Sequence, residues 1–558
     1  MNLSECDTRG CGLIDIYRES FIDNGTLPAI TDYGTGKTMT YAEMSRRIAR
    51  LHLFFEAAGL KAGDKVALLG KNTSTWICVF MASLTYGTVI VPILHDFNPA
   101  DAAHIINHSD ARVLFVYEGI WEHLDIDMFP ELRAVVSLDT RKILASRVKG
   151  LSTFVKTLSR AFAKRYPHGF GPSDINYASH PDDDIAIINY TSGTTGFSKG
   201  VMLTYDNVAG NVAFGIASRL HYQGSRALSF LPLAHAYGCA FDMLVPLAVG
   251  SHITVLGRTP TPTLLVKALR EVRPNLIICV PLILEKIYRR MIVPMITRKP
   301  IRWILALPGL DRAIYGRIRS RLVEAFGGEF EEVIIGGAPL NPEVEEFLYR
   351  IKFPFTVGYG MTECGPLISY TPWREFEPGS AGRTLPIMKA DIRPDDTTPG
   401  QGEIVVRGQN VMKGYYKNPD ATEAALDADG WLHTGDMGRI GSDGRTIFIR
   451  GRYKTMILTA NGQNIYPEEI EAKLNNMPYV SESLVVERGG RLVALVYPDR
   501  EDMDAARLSD HQLDPIMEDV RQELNRLVAP YEQISRIQVM PEEFKKTPKR
   551  SIKRFLYR

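Results

Sequence analysis

Residues 190–200 read Tyr190-Thr191-Ser192-Gly193-Thr194-Thr195-Gly196-Phe197-Ser198-Lys199-Gly200. Five small hydroxyl residues, three glycines and one lysine fall within eleven positions. Glycines let the backbone approach a ligand and turn its N–H groups inward. Hydroxyls add donors, and a lysine adds a mobile positive charge. That combination suits an oligophosphate. The spacing is not G-x-x-x-x-G-K-[ST], so the stretch is not the P-loop of the common NTPases. A flexible linker is the alternative, but linkers rarely follow a buried apolar run such as Ile185-Ala-Ile-Ile188 and end in a lysine and a second apolar run.

The stretch resembles the signature loop of the adenylate-forming (AMP-binding) superfamily, which activates carboxylates with ATP. Further blocks follow in the family's order. Leu231-Pro-Leu-Ala-His235 is similar to its P-x-x-H block, whose histidine senses ATP and borders the acyl tunnel. Gly336-Gly337-Ala338-Pro339 is similar to the strand end that frames adenine. Tyr359-Gly360-Met361-Thr362-Glu363 resembles Y-G-x-T-E. Its tyrosine ring can stack on adenine. Glu363 would be a hard oxygen ligand for Mg²⁺, with Thr191 as a second oxygen near the metal. Trp431-Leu-His-Thr-Gly-Asp436 resembles W-x-x-T-G-D, in which the aspartate accepts from both ribose hydroxyls. Gly451-Arg452-Tyr-Lys454 resembles the hinge block. There Arg452 would bond ribose or phosphate and Lys454 would be the pivot. Asn461-Gly462 continues it, with Gly462 near the CoA path. The ATP-binding set implied by the resemblance is thus Thr191, Ser192, Gly193, Thr194, Thr195, Gly196, Lys199, Gly337, Ala338, Pro339, Tyr359, Gly360, Met361, Thr362, Asp436 and Arg452.

The tail departs from the pattern. Family members end in a lysine that bonds the carboxylate and the α-phosphate. Aligned without a gap, Lys546-Thr-Pro-Lys549-Arg-Ser551-Ile-Lys553 places serine there. A serine cannot supply charge to a developing anion. Lys549 and Lys553 are each two residues from Ser551 and share its face on an extended segment. Both are candidate catalytic residues, beside His235 and Glu363, and Lys549 is preferred. A solvated basic end is the alternative.

The elements that must position these residues are legible as patterns. With 558 residues, two or more domains are expected. Short apolar runs alternate with helical patterns, which argues for parallel α/β sheets. Thr40 with Glu43 predicts a capped helix reaching Gly59. The apolar run from Trp76 to Leu94 contains Gly87, and reads as a helix to about Leu84 followed by a strand over 88–93 rather than a membrane span. From Gly402 the pattern turns β-rich, and residues 451–558 read as a small α+β unit. The expected architecture is an α/β fold. A large N-terminal domain (1–452) carries α/β subdomains and a β-rich subdomain. A hinge at 453–454 leads to a small mobile α+β domain (455–558).

Net charge is +1, so no global field calls for nucleic acid. Six scattered cysteines without zinc spacing suit reduced thiols in the cytoplasm. The start of the chain carries acidic residues and no apolar core of a signal peptide. Leu144, Val148, Leu151, Val155, Leu158 and Phe162 fall on one helical stripe. The acid-free stretch around them holds Arg147, Lys149, Lys156, Arg160, Lys164 and Arg165. A packed face is the first reading of that stripe, and peripheral contact with an anionic membrane is the second. A second basic stretch, Lys286–Arg321, has Asp311 as its one acid.

The resemblance implies two half-reactions. A carboxylate and ATP give an acyl-adenylate and pyrophosphate, and a CoA thiol then displaces AMP. Pro281-Leu-Ile-Leu-Glu-Lys-Ile-Tyr288 and the basic segment after it resemble long-chain fatty acyl-CoA synthetases. The implied partners are fatty acid, ATP, Mg²⁺ and CoA. Two alternatives remain: transfer of the acyl group to an acyl carrier protein, or a non-catalytic acyl or nucleotide sensor.

Overall fold

A computed structural model describes residues 12–191, 198–293, 310–394, 401–458, 464–509, 512–547 and 552–557. Two large sheets dominate its first four hundred residues. One has seven strands in the order Phe355–Val357, Glu332–Ile335, Leu276–Cys279, Arg226–Ser229, His252–Val255, Pro28–Asp32, Lys37–Thr40. All its pairings are parallel except that of the last edge strand. The other has eight strands, with Val89–Ile93, Lys65–Leu69, Ala111–Val116 and Ala134–Ser137 parallel at its centre. Val89–Ile93 is buried throughout, as expected of a parallel strand covered on both faces.

The termini of the helices follow local chemistry. Thr40 and Glu43 close a reciprocal capping box on Tyr41–Ala57. Thr73 caps Ser74–Tyr86, and Gly87 ends that helix in the left-handed region before the strand. No helix among the described residues is long and apolar enough to cross a membrane.

A four-stranded antiparallel sheet follows: Met388–Pro394, Gly402–Gly408, Leu432–Ile440 and Ile447–Arg452. A 3-10 turn over Tyr453–Thr455 then leads into the C-terminal part. There Val480–Arg488, Arg491–Pro498 and Arg536–Val539 form a sheet flanked by helices Pro467–Leu474 and Leu513–Leu527. One apolar core runs from Leu13 to Ile449, and separate clusters serve Ile457 onward. Polar contacts join the two parts. Asn341 Nδ2 donates to the Ala472 carbonyl at 2.9 Å and to Asn476 Oδ1 at 2.8 Å. Arg289 donates to the carbonyls of Val480 and Asn475.

The basic amphipathic segment differs from its expected form. Ile143–Ser146 is an edge strand antiparallel to Ala134–Ser137, and the helix begins only at Leu151 and runs to Arg165. Gly150, at φ +82°, breaks the segment between them. The apolar stripe is a packed face. Phe162 joins Ala49 and Leu53, with Phe154 and Leu158 against them, and Arg50 lies 5.0 Å over the Phe162 ring. Arg147 is committed to its own domain, donating to the carbonyls of Ile126, Phe129 and Leu132. Arg165 pairs with Glu56 at 2.8 Å. Cys78, Cys239, Cys279 and Cys364 are buried free thiols, while Cys6 and Cys11 lie outside the described residues.

Candidate active site

The signature stretch is the connection of a β-hairpin. Strand Ile185–Thr191 pairs antiparallel with Lys199–Thr204, and Thr191 stands opposite Lys199. Ser192, Gly193, Thr194, Thr195 and Gly196 lie outside the described residues. Ile185–Thr191 also pairs parallel with Val89–Ile93, so Thr191 stands at a strand C-terminus, the end at which open α/β sheets bind ligands.

One residue absent from the sequence motifs, Tyr415, completes this corner. The short strand Gly414–Tyr415 pairs with the second hairpin arm. It places the Tyr415 ring 4.7 Å from Lys199 Nζ, a cation–π contact. The Tyr415 hydroxyl donates to Glu363 Oε1 at 2.9 Å. Burial and the neighbouring Glu363 carboxylate raise the Tyr415 pKa, so it stays a donor. Glu363 is itself held by its backbone, whose carbonyl accepts from Met412 N at 2.8 Å. Lys199, Tyr415 and Glu363 thus form one chain, although 216 positions separate the first two.

Among the described residues no three His, Cys, Asp or Glu side chains converge to hold a metal ion. Mg²⁺ is typically bound through one or two carboxylates together with substrate phosphates. Glu363, oriented by Tyr415, fits as the protein's carboxylate, and Thr191 stands opposite Lys199 at the end of the hairpin arm.

The second corner is built on Tyr359 and Asp436. The Tyr359 hydroxyl donates to Asp436 Oδ2 at 2.7 Å, and Arg452 Nε lies 3.3 Å from Asp436 Oδ1. Asp436 lies within strand Leu432–Ile440, where its N–H donates to Thr434 Oγ1 at 3.1 Å and Thr434 is anchored to the Ile404 carbonyl. Burial pushes the Asp436 pKa up, while Arg452 and the Tyr359 hydroxyl oppose the shift. The Asp436 side chain is 9% exposed and that of Arg452 is 64% exposed. A guanidinium on the outer side of a buried carboxylate leaves the pair open to a diol or phosphate.

Between the two corners lies a narrow, mostly apolar cleft of about 50 Å³. His235, Gly336, Gly337, Tyr359, Gly360, Met361 and Thr362 line it, together with the apolar side chains of Leu220, Phe241, Ile278 and Ile334 and the rings of Tyr237 and Tyr370. Gly337 sits at φ +86°, which favours glycine at the turn leaving Glu332–Ile335. At Gly360 a Cβ would meet the Pro366 carbonyl oxygen at 2.2 Å, so only glycine fits. Ala338 and Pro339 follow in the same turn and are exposed. His235 caps the turn after it, its Nδ1 3.5 Å from Tyr237 N, which leaves the ring at the cleft rather than in the core.

The tail folds back on the C-terminal sheet. Lys546 bridges to Ile552, and Lys553 N donates to the Lys545 carbonyl at 2.9 Å. Lys546 is paired with Glu482 at 2.6 Å and with Glu543, which removes it as a free charge. Arg554 contacts Glu471 and lies 3.5 Å from Glu468. A Cβ at Gly451 would sit 3.3 Å from Glu468 Oε2, so the residue after Lys553 is one carboxylate away from the strand end that carries Arg452. Lys549, Ser551 and Gly462 lie outside the described residues, as does the side chain of Lys454.

The Lys199–Tyr415–Glu363 chain, the Tyr359–Asp436–Arg452 chain and the apolar cleft belong to an α/β fold whose family is shown by comparison. The family description "AMP-binding enzyme" matches residues 21–416, and the chain belongs to that family. Curated relatives include Long-chain-fatty-acid–CoA ligase FadD15 of Mycobacterium tuberculosis, 29% identical over 479 residues, covering 81% of this chain and 76% of that protein. Long chain acyl-CoA synthetase 7, peroxisomal, of Arabidopsis thaliana is 30% identical over 496 residues, covering 83% and 69%. Among solved structures, ATP-bound MatB from Rhodopseudomonas palustris superposes with a TM-score of 0.75 at 22% identity, covering 98% of both chains. The anthranilate CoA ligase AuaEII, in complex with anthranoyl-AMP, gives 0.76 at 19%, covering 100% and 98%. At these identities the superpositions establish the two-domain α/β fold alone.

Proposed function

We propose that this chain is an ATP-dependent fatty acid–CoA ligase with a preference for long chains. The carrying observation is that His235, Gly337, Tyr359 and Thr362 share one apolar cleft, with Asp436 bonded to Tyr359 and Glu363 following Thr362 and bonded to Tyr415. The names of the curated relatives support a long-chain fatty acid as the substrate class.

In the first half-reaction a carboxylate oxygen attacks the α-phosphorus of ATP, and the bond to the β-phosphate breaks. Lys199 and the loop from Thr191 to Gly196 hold the phosphates in line, mainly by position and charge. Glu363 would hold Mg²⁺, which would supply charge neutralisation on the phosphates. Asp436 takes the ribose hydroxyls, Arg452 their outer side, and Tyr359 with Gly337, Ala338 and Pro339 the adenine. A lysine of the tail, Lys549 or Lys553, stands in for the charge that Ser551 lacks. In the second half-reaction residues 455–558 turn about Lys454 against 1–452, and Gly462 borders the path of the CoA thiol. The sulfur attacks the acyl carbon, AMP leaves, and the thiol proton is released. One active site used twice is the reason for a hinge.

The exposed cations of the Leu151–Arg165 helix, Lys156, Arg160 and Lys164, would hold the enzyme at the inner, anionic face of a membrane from the cytoplasmic side. The experiment for the activity is carboxylate-dependent pyrophosphate release with ATP, Mg²⁺ and CoA over acids from acetate to oleate. Thioester formation with free CoA, and not with acyl carrier protein, identifies the acceptor. ATP binding without pyrophosphate release would instead identify a sensor.

A further inference from the structure

The hairpin that carries Lys199 has two faces, and only one of them is turned towards Glu363. Residues directly opposite in an antiparallel pair share a face, and successive residues alternate. Thr191 stands opposite Lys199 and Tyr415 opposite Val201, so Thr191, Lys199 and Tyr415 occupy the face on which Tyr415 bonds Glu363. Tyr190 stands opposite Gly200, and Tyr416 N donates to the Gly200 carbonyl at 2.7 Å. Tyr190, Gly200 and Tyr416 therefore form a row across three strands on the other face. The Tyr190 ring lies against Gly200, where a Cβ would meet Ile188 Cγ2 at 2.9 Å and Tyr190 Cζ at 3.1 Å.

Both rings of the row are held by one short piece of chain, where helix Pro99–His108 ends and strand Ala111–Val116 begins. The Tyr190 hydroxyl and His108 Nδ1 are hydrogen-bonded at 2.7 Å. The Tyr416 hydroxyl donates to Asp110 Oδ2 at 2.8 Å, and Lys417 Nζ donates to Asp110 Oδ1 at 2.7 Å. The His108 ring meets both tyrosine rings edge-on, at centroid distances of 5.8 and 6.0 Å. Asp110 sits at φ +56°, a left-handed conformation that aspartate adopts more readily than most residues. Tyr190 is 3% exposed, so its hydroxyl is bonded inside the fold and not at the surface. The two hydroxyls thus tie two of the three strands, Ile185–Thr191 and Gly414–Tyr415, to a helix end far from them in sequence.

We propose that His108 and Asp110 are positioning residues for the nucleotide phosphates, acting through Tyr190 and Tyr416 on the strands that present Thr191 and Lys199. The proposal rests on the reading above, in which Lys199 holds the phosphates of ATP. Neither His108 nor Asp110 touches the nucleotide. They fix the strands from one face, while Tyr415 steadies the lysine on the other. Phosphoryl transfer depends on in-line geometry, and a misplacement of about 1 Å caused far from the chemistry can cost on the order of 100-fold. Supporting groups that lock such a constellation are part of its design. AMP and an acyl-adenylate carry neither the β- nor the γ-phosphate. The support therefore matters for ATP binding and adenylation, and not for the thioester step that follows.

The test uses Tyr190→Phe, Tyr416→Phe and the double variant, which keep both rings and lose the two hydroxyls. Titration calorimetry gives the affinities for ATP with Mg²⁺ and for AMP. Pyrophosphate release, and thioester formation from supplied oleoyl-adenylate and CoA, are followed separately. The double variant is expected to bind ATP about tenfold more weakly and to lose kcat/KM for ATP in pyrophosphate release by about tenfold or more. Its AMP affinity and its thioester step should stay within about twofold of wild type. An unchanged ratio of ATP to AMP affinity overturns the proposal, whether both affinities hold or both fall together. Both falling, with a lower melting temperature, would make the row a packing feature only. Wild type that binds ATP but releases no pyrophosphate with any acid removes the ligase reading, and the affinity ratio still decides the positioning role. If the double variant fails to fold, the two single variants carry the same comparison.

Discussion

Asp436 shows how much a single carboxylate carries. It joins the Tyr359 hydroxyl to the Arg452 guanidinium across the base of the nucleotide corner. Asp436→Asn keeps a side chain of the same shape but removes the charge. It should lower kcat/KM for ATP by about 30-fold, the order of a lost charged hydrogen bond at ~2 kcal/mol. Pyrophosphate release against ATP concentration reads it, and an unchanged value would exclude Asp436 from ATP binding. Tyr415 offers a finer dissection. Tyr415→Phe removes the bond to Glu363 and keeps the ring by Lys199, for a loss of about fivefold, near 1 kcal/mol. Tyr415→Ala should lose a further factor of about five as the cation–π contact goes. Equal activity of the two variants would mean that the ring contact contributes nothing.

The motif residues Tyr359, Glu363 and Asp436 were legible because each lies inside a block of recognisable spacing. Tyr415 was not, since the pairing of Gly414–Tyr415 with the hairpin is a long-range register that no local pattern announces.

At the scale of elements, the helix Leu151–Arg165 separates packing from charge. Its apolar stripe was legible by period, but the strand at Ile143–Ser146 was not, because a 4,3,4 spacing also runs through it by chance. Gly150 was the local signal of the break. Phe162→Ala should cost about 3 kcal/mol, as a large ring leaves a packed site beside Leu53 and Arg50. Denaturant unfolding checks this, and a loss below about 0.5 kcal/mol, the level of a surface substitution, would contradict the packed face. Glutamates in place of Lys156, Arg160 and Lys164 should leave stability unchanged and reduce sedimentation with anionic liposomes. Unaltered sedimentation would remove this helix as a membrane contact. Most strands of the parallel sheets were legible within a residue or two from buried apolar runs. Their order was not, since neighbours such as Pro28–Asp32 and His252–Val255 are over two hundred residues apart.

At the scale of the whole molecule, buried acids couple stability to pH. Burial raises Glu332 and Glu345 from an ordinary 4.5 to about 7. Glu332 sits behind the cleft, accepting from the Tyr370 hydroxyl at 2.6 Å. A carboxyl with a raised folded pKa binds its proton more tightly in the folded state. Its contribution is full below the unfolded pKa of about 4.5 and is lost as pH rises through about 7. The wild-type melting temperature should therefore fall between pH 5.5 and 8. Glu332→Gln with Glu345→Gln should flatten that fall, and an equally steep profile in the double variant would show that these two groups do not carry it.

The central claim is that this fold joins a fatty acid to CoA through an adenylate. The most direct measurement is pyrophosphate release with ATP, Mg²⁺ and CoA across acids from acetate to oleate, with wild type beside Lys549→Ala and Lys553→Ala. Release that rises towards the long chains, and that collapses in one of the two lysine variants, is the predicted result. ATP bound tightly, with no pyrophosphate released by any acid, would contradict it.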